Sequence, residues 1–438
     1  MTSILRQRGR FAAILAIAAM VLALLYWSGA DRAQAAPAEG LACETSASNS
    51  FNLTATSGYI LTPDGNSIFM WGYAGSSGAF QLPGPTLCVP EGADVTITLK
   101  NTLSEPVSIS FPGQTGVKAD GNPDQPVFNG SGQVTSLAKP AATNSTVTYT
   151  FTAKRAGTFL YRSGTDVAKQ VQMGLYGALV VRPTDSGGAM LQGQAYDDPA
   201  SQFDPQHEYV HLLSEIDPAF HLAVERKRPV NLPAFNSRYF LINGRSMPDT
   251  IAPNNVAWLP AQPYGAMVHI KPYDAASNAK PALIRYLNAG FGTYPFHPHG
   301  NDQNVIGRDG SPLIATATAA NASYEKFLID VGPGQTVDTT LKWTDIEHWD
   351  PNSNPIPVDL PPLQDQLISP DTWFSESPYL GHTGDLPAGI TNNNQCGEYY
   401  HVAHSHALQQ ATNYGATFGG MMTLIRIDPP AGCPGATP

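Results

Sequence analysis

Short stretches of this chain alternate apolar and polar residues with a period of two, the pattern of strands that bury one face. Asp94 to Lys100 sets Val95, Ile97 and Leu99 against Thr96 and Thr98, and Thr146 to Thr152 sets Val147, Tyr149 and Phe151 against threonines. Ser67 to Tyr73 and the mostly apolar run Leu175 to Val181 read as two further strands, and Pro83-Gly84-Pro85 as a turn. Further along, strands are predicted at 208–214, 238–243, 265–271, 282–288, 325–331, 336–342, 398–404 and 420–427. Helix-period stripes are scarce. Short strands with Gly and Pro turns between them predict an all-β fold of Greek-key sandwiches.

The same pattern divides the chain. One β domain is expected over 43–183 and a second over 207–430. Residues 184–206, rich in Gly, Gln, Asp and Ser, read as the linker between them. The Pro- and Asn-rich stretch 349–395 has little periodicity and reads as a long loop, a length often tied to function or partner contact. Residues 1–35 read as an export signal: Arg6, Arg8 and Arg10 precede the apolar run Phe11 to Trp27, and Ala33-Gln34-Ala35 forms a cleavage site. An uncleaved membrane anchor is the alternative. Either way the remainder would lie outside the cytoplasm, periplasmic or extracellular.

Composition sharpens this picture. Charged residues are sparse, while Gly (40) and Pro (38) are abundant, as turn-rich β-sandwiches require. A net charge of −11 and the lack of a basic patch argue against nucleic acid. Four cysteines in an exported chain suggest two disulfides. Cys43–Cys88 and Cys396–Cys433 each fall within one predicted domain; Cys88–Cys433, clasping the tail to the first domain, competes. The spacing is too wide for a thiolate zinc knuckle.

Two His-x-His pairs carry the chemistry: His297 and His299 in Phe296-His297-Pro298-His299-Gly300, and His404 and His406 in His404-Ser405-His406. Residues two apart on a strand share a face, so two neighbouring strands would bring four imidazoles together. Imidazole is the commonest protein ligand for a transition metal near neutral pH. A hydrogen-bonded polar strand pair without metal is the alternative. His401, three residues before His404, would face the other way on a strand and is a further candidate ligand. His207, His211, His221, His269, His348 and His382 have no paired spacing and read as surface or core. There is no G-x-S-x-G elbow, P-loop, dinucleotide fingerprint or haem-attachment motif.

Pro83-Gly84-Pro85-Thr86, Glu91-Gly92-Ala93-Asp94-Val95, Gly157-Thr158-Phe159-Leu160-Tyr161, Gly174-Leu175-Tyr176-Gly177-Ala178, Tyr239-Phe240-Leu241-Ile242-Asn243-Gly244, Phe296-His297-Pro298-His299-Gly300 and Arg308-Asp309-Gly310 occur in an order and spacing that resemble the multicopper oxidases of the cupredoxin superfamily. The resemblance implies two cupredoxin-like Greek-key β-sandwich domains, as in the two-domain members, and four copper-binding segments. The family's first segment reads His-Trp-His-Gly; here it is Ser110-Phe111-Pro112-Gly113. The second reads Tyr-His-Ser-His; here it is Tyr161-Arg162-Ser163-Gly164. The third reads His-Pro-x-His-x-His-Gly; here Tyr294 replaces the outer histidine, and His297 and His299 remain. The fourth reads His-Cys-His with a later His; here it is His404-Ser405-His406, with Gln410 at the later position.

A blue copper centre needs a Cys thiolate and two imidazoles. Ser405, Tyr294 and Gln410 hold those three positions, so the resemblance implies a protein with no blue type 1 centre and an incomplete trinuclear cluster. It would bind copper, with zinc as the alternative, at His297, His299, His404 and His406. If an enzyme, it would be a copper-dependent oxidoreductase acting on a small molecule or a metal ion. A copper carrier and a metal-free interaction module of the cell envelope are the rivals. Two-domain relatives build copper sites between the subunits of a homo-oligomer, and the loss of ligands from the first domain weakens that reason to assemble. Arg162 would bring a positive charge where two ligands are missing, to meet an anion or to form a salt bridge. Gln410 would be an axial or outer group. Met421 and Met422, near the family's axial position, read as core.

Overall fold

The computed structural model describes residues 39–273, 279–314, 321–344 and 399–428, together with a short strand pair at 368–369 and 372–373. The predicted leader, most of 349–395, His348, His382, Cys396 and Cys433 lie outside the described residues. Among the described residues no helix is long and apolar enough to cross a membrane.

The chain folds into two β-sandwiches, as the two-residue periodicity predicts. In the first, Asp94–Asn101 pairs antiparallel with Thr146–Thr152 and parallel with Ser50–Leu61, which returns antiparallel to Ser67–Ala74. The opposing sheet runs Gly157–Arg162, Tyr176–Arg182, Leu87–Pro90. The alternating residues point inward: Val95, Ile97, Leu99, Val147, Tyr149 and Phe151 are all buried in one core with Leu53, Tyr73 and Leu179. Their threonine neighbours on these strands are only partly buried or exposed. Cys43 and Cys88 form a disulfide, which excludes the Cys88–Cys433 pairing.

In the second sandwich a nine-stranded sheet is centred on Glu208–Ile216, Ala282–Asn288 and Thr336–Leu341. A five-stranded sheet faces it in the order Val268–Ile270, Met422–Ile427, Tyr399–Ser405, Tyr294–Pro298, Ile329–Val331. The strand predicted over 325–331 is in fact two. Tyr324–Lys326 pairs with Gln303–Arg308 in the larger sheet, and Ile329–Val331 pairs with Tyr294–Pro298 in the smaller. Between them the chain crosses from sheet to sheet, and Phe327 is left exposed. The 184–206 stretch has no strand, yet Ala195, Tyr196 and Phe203 pack against Leu283, Ile306 and Ile314. A short helix, Pro218–Glu225, starts where Asp217 accepts hydrogen bonds from the amides of Ala219 and Phe220, with Pro218 in the first turn.

A buried charge network joins the sandwiches. Arg285 Nε donates to Glu208 Oε1 (2.8 Å) and its Nη1 to Thr158 Oγ1 (2.8 Å). Arg182 Nη2 bonds the other Glu208 oxygen at 2.5 Å. Asp338 accepts from Thr158 (2.6 Å) and Tyr196 (2.5 Å). Two guanidinium groups thus balance two carboxylates away from water.

Candidate metal centre

The two His-x-His segments are neighbouring strands. His297 and His404 are directly opposite in the antiparallel pairing of Tyr294–Pro298 with Tyr399–Ser405. The register continues past the strand ends: the His299 amide donates to Val402 O (2.8 Å) and the His406 amide to Pro295 O (2.7 Å). All four rings therefore fall on one face. The His297 ring centroid lies 4.8 Å from that of His299, 5.8 Å from His404 and 5.3 Å from His406. The His404 and His406 rings are nearly parallel, with centroids 6.0 Å apart.

Backbone carbonyls orient two of the rings. His297 Nδ1 lies 2.6 Å from Phe327 O, and His404 Nδ1 2.8 Å from Ser405 O. A carbonyl can only accept, so each Nδ1 carries the proton and the neutral ring keeps its lone pair at Nε2. This is the arrangement that fixes a metal-ligating imidazole. Burial holds the His404 imidazole below its ordinary pKa, and the three neighbouring imidazoles push it the same way. The His404 Nε2 atom lies 3.1 Å from His299 Nε2. Two nitrogens bound to one ion at about 2.0–2.1 Å, with an N–metal–N angle of roughly 100°, would be about that far apart. Among the described residues no group of three or more His, Cys, Asp or Glu side chains is already assembled in metal-holding geometry. One pair is thus preset, and the partly buried His297 and exposed His406 lie beside it.

His401 lies on the other face, as its odd offset predicts. It is buried near Trp343, with ring centroids 6.4 Å apart, and beneath Gly300. A Cβ at Gly300 would meet the His401 ring at 3.0 Å, and the residue has φ +91°, so glycine is required there on two grounds. His211 and His221 are buried and held near neutral by burial, each at about pKa 4, and each bonds a backbone carbonyl. His207 pairs with Asp204, and His269 with Glu39 and Asp428.

Behind the His face, Ser405 Oγ donates to Gln410 Oε1 (2.5 Å), whose Nε2 donates to Thr293 O (3.2 Å). Tyr294 is fully buried, and its hydroxyl has no hydrogen-bond partner among the described residues. That hydroxyl and Glu215 Oε2 flank Gly290, 2.1 Å and 2.3 Å from the point a Cβ would occupy. Met421 is fully buried in the core of the second sandwich. Arg162 is half-buried against Gly334, has no carboxylate partner among the described residues, and is lowered in pKa by burial.

Glu215 escaped the sequence reading because the predicted strand ends at 214, whereas the strand runs Glu208–Ile216. Its carboxyl accepts from the amides of Phe291 (2.8 Å) and Gly292 (3.4 Å). Burial outweighs these donors and pushes its pKa up to about 7. A folded pKa above the unfolded value means that folding takes up a proton. This stabilisation is complete below about pH 4.3 and is lost as the pH rises through 7. Glu215→Gln should therefore be more stable than wild type at pH 8, by up to about 3 kcal/mol, and near-neutral at pH 4.5. Urea unfolding at the two pH values checks this; an unchanged pH slope would refute it.

Comparison with known proteins agrees with this architecture. A family model described as multicopper oxidase matches residues 61–186. A rice (Oryza sativa subsp. japonica) protein, Laccase-25, is 29% identical over 266 residues, 60% of this chain but only 38% of the laccase. The blue copper oxidase from Nitrosomonas europaea superposes with a TM-score of 0.57 at 19% identity, covering 86% of this chain and 85% of that one. A multicopper oxidase called mgLAC gives 0.56 at 20% identity, with 86% of each chain covered. The folded class is a cupredoxin-like β-sandwich protein. Residues 61–186 match the multicopper oxidase family model, and over most of its length the chain resembles multicopper oxidases in fold.

Proposed function

We propose that this chain is an exported multicopper-oxidase-like protein that binds copper through His297, His299, His404 and His406 and has no blue centre and no complete trinuclear cluster. The observation that carries the reading is the 3.1 Å separation of the His299 and His404 Nε2 atoms. Two lone pairs at that distance repel unless a proton or a metal ion lies between them. The donor set is all imidazole, which suits copper and admits zinc. Bound copper would supply one-electron redox chemistry. The protein's own contribution is to fix two rings through the Phe327 and Ser405 carbonyls and to leave His406 open to solvent.

That openness favours a second reading, a copper carrier whose ion exchanges through the His406 side. Metal content after dialysis against a weak chelator tests binding. Oxygen consumption with a phenol or a reduced metal ion then separates oxidase from carrier. Binding without oxygen uptake would establish the carrier, and no retained metal would defeat both.

The copper-loaded protein should show no blue-copper absorption band. Ser405 carries a hydroxyl already committed to Gln410, and Tyr294 carries no imidazole, so neither can make the Cu–thiolate bond behind that colour. An intense band in copper-loaded protein would overturn this.

A further inference from the structure

A cavity of about 410 Å³ lies beside the Cys43–Cys88 disulfide, and a neighbouring one of about 380 Å³ shares His207 with it. The second differs in charge. Lys271, Lys280 and Lys342 all line it, three of the chain's ten lysines in a protein of net charge −11. Among the described residues Asp204 is the one acidic residue in its lining, and that carboxylate is already hydrogen-bonded to His207 Nδ1 at 3.0 Å. None of the three ammonium groups has an ion-pair partner among the described residues, in contrast to Lys139 and Lys169, which do. Lys342 instead sits over the Tyr273 ring, 4.6 Å from its centroid.

The cavity wall is fixed by backbone bonds. Ala282 pairs with Leu341, the Tyr273 amide donates to Trp343 O (2.6 Å), and the Asp204 amide donates to Pro281 O (2.8 Å). The three lysines thus line one space whose wall is anchored backbone. Three like charges facing one cavity repel, and the repulsion is relieved most by an anion that meets several of them at once. At the cavity's edge burial lowers the pKa of His207, Asp204 opposes that, and His269 and Lys271 lower it further.

We propose that this cavity is a binding site for a small multivalent oxyanion, a phosphate or a polycarboxylate, held by Lys271, Lys280 and Lys342. The site is separate from the His face and does not depend on its metal. Rim lysines are water-exposed, so binding weakens as salt rises.

Calorimetric titration of the purified, metal-containing protein with inorganic phosphate and with propane-1,2,3-tricarboxylate tests it, with metal content checked before and after. Saturable binding of one anion per chain is expected, and the anion preferred identifies the phosphate or carboxylate class. Lys271→Ala with Lys342→Ala should weaken it by about tenfold or more. The single charge reversal Lys280→Glu should do the same, and Lys271→Arg with Lys342→Arg should retain it. Lys118→Ala with Lys227→Ala, which leave the cavity intact, should change nothing. Absence of saturation with both anions, full retention in the alanine and Lys280→Glu variants, or equal loss in the control pair would overturn the proposal.

Discussion

Arg285→Met is expected to destabilise the fold by about 3–5 kcal/mol, the cost of leaving a buried charge without its partner. The guanidinium is fully buried and serves both carboxylates of the network, bonding Glu208 directly and lying 3.7 Å from Asp338. With it gone, Glu208 and Asp338 face a single cation, Arg182, in a space that excludes water. Burial already raises the Asp338 pKa, with Arg285 the chief opposing influence, so the variant carboxyl should take up a proton more readily. The exposed Lys139–Asp120 pair is the contrast: Lys139→Met should cost no more than about 1 kcal/mol. Urea unfolding of the two variants measures the difference. A cost for Arg285→Met within about 1 kcal/mol would mean that the network is held by packing alone.

The network also shows where sequence reading stops. Period-two alternation located Asp94–Asn101 and Thr146–Thr152 because each strand has one buried and one wetter face. It missed Ser50–Leu61, the longest strand of the first sandwich, whose Ser, Thr and Gly residues blur the apolar pattern. It merged two strands around Phe327, because a chain crossing between sheets keeps its apolar residues while changing partners. The His-x-His pairs were legible because period two acts within each segment. Their register, with His297 opposite His404, comes from strand pairing over a hundred residues apart, which no local pattern encodes. The Phe327 carbonyl is invisible in a sequence because every residue has one. Glu215 and the Arg285 network are visible only as charged letters within apolar strands, a signal that names a residue without naming its partners.

The largest functional effect is expected from His404→Ala combined with His406→Ala, which should abolish stoichiometric copper binding with the fold retained. The double change removes one nitrogen of the preset pair and one flanking ring, leaving only His297 and His299, too few nitrogens to hold copper against competing buffer ligands. His406 is exposed and His404 is not part of any hydrophobic core cluster, so the sandwich should survive their truncation. His401→Ala should behave differently: its ring lies under Gly300 on the opposite face, so the variant should lose stability while keeping copper. His207→Ala should change neither copper content nor the His face, since its ring bonds Asp204 beside the lysine cavity. Counting metal per chain after dialysis against a weak chelator separates these cases. Full copper in the His404/His406 variant would remove the proposed centre. Loss in the His401 variant without loss of stability would place the ligands on the wrong face of the Tyr399–Ser405 strand.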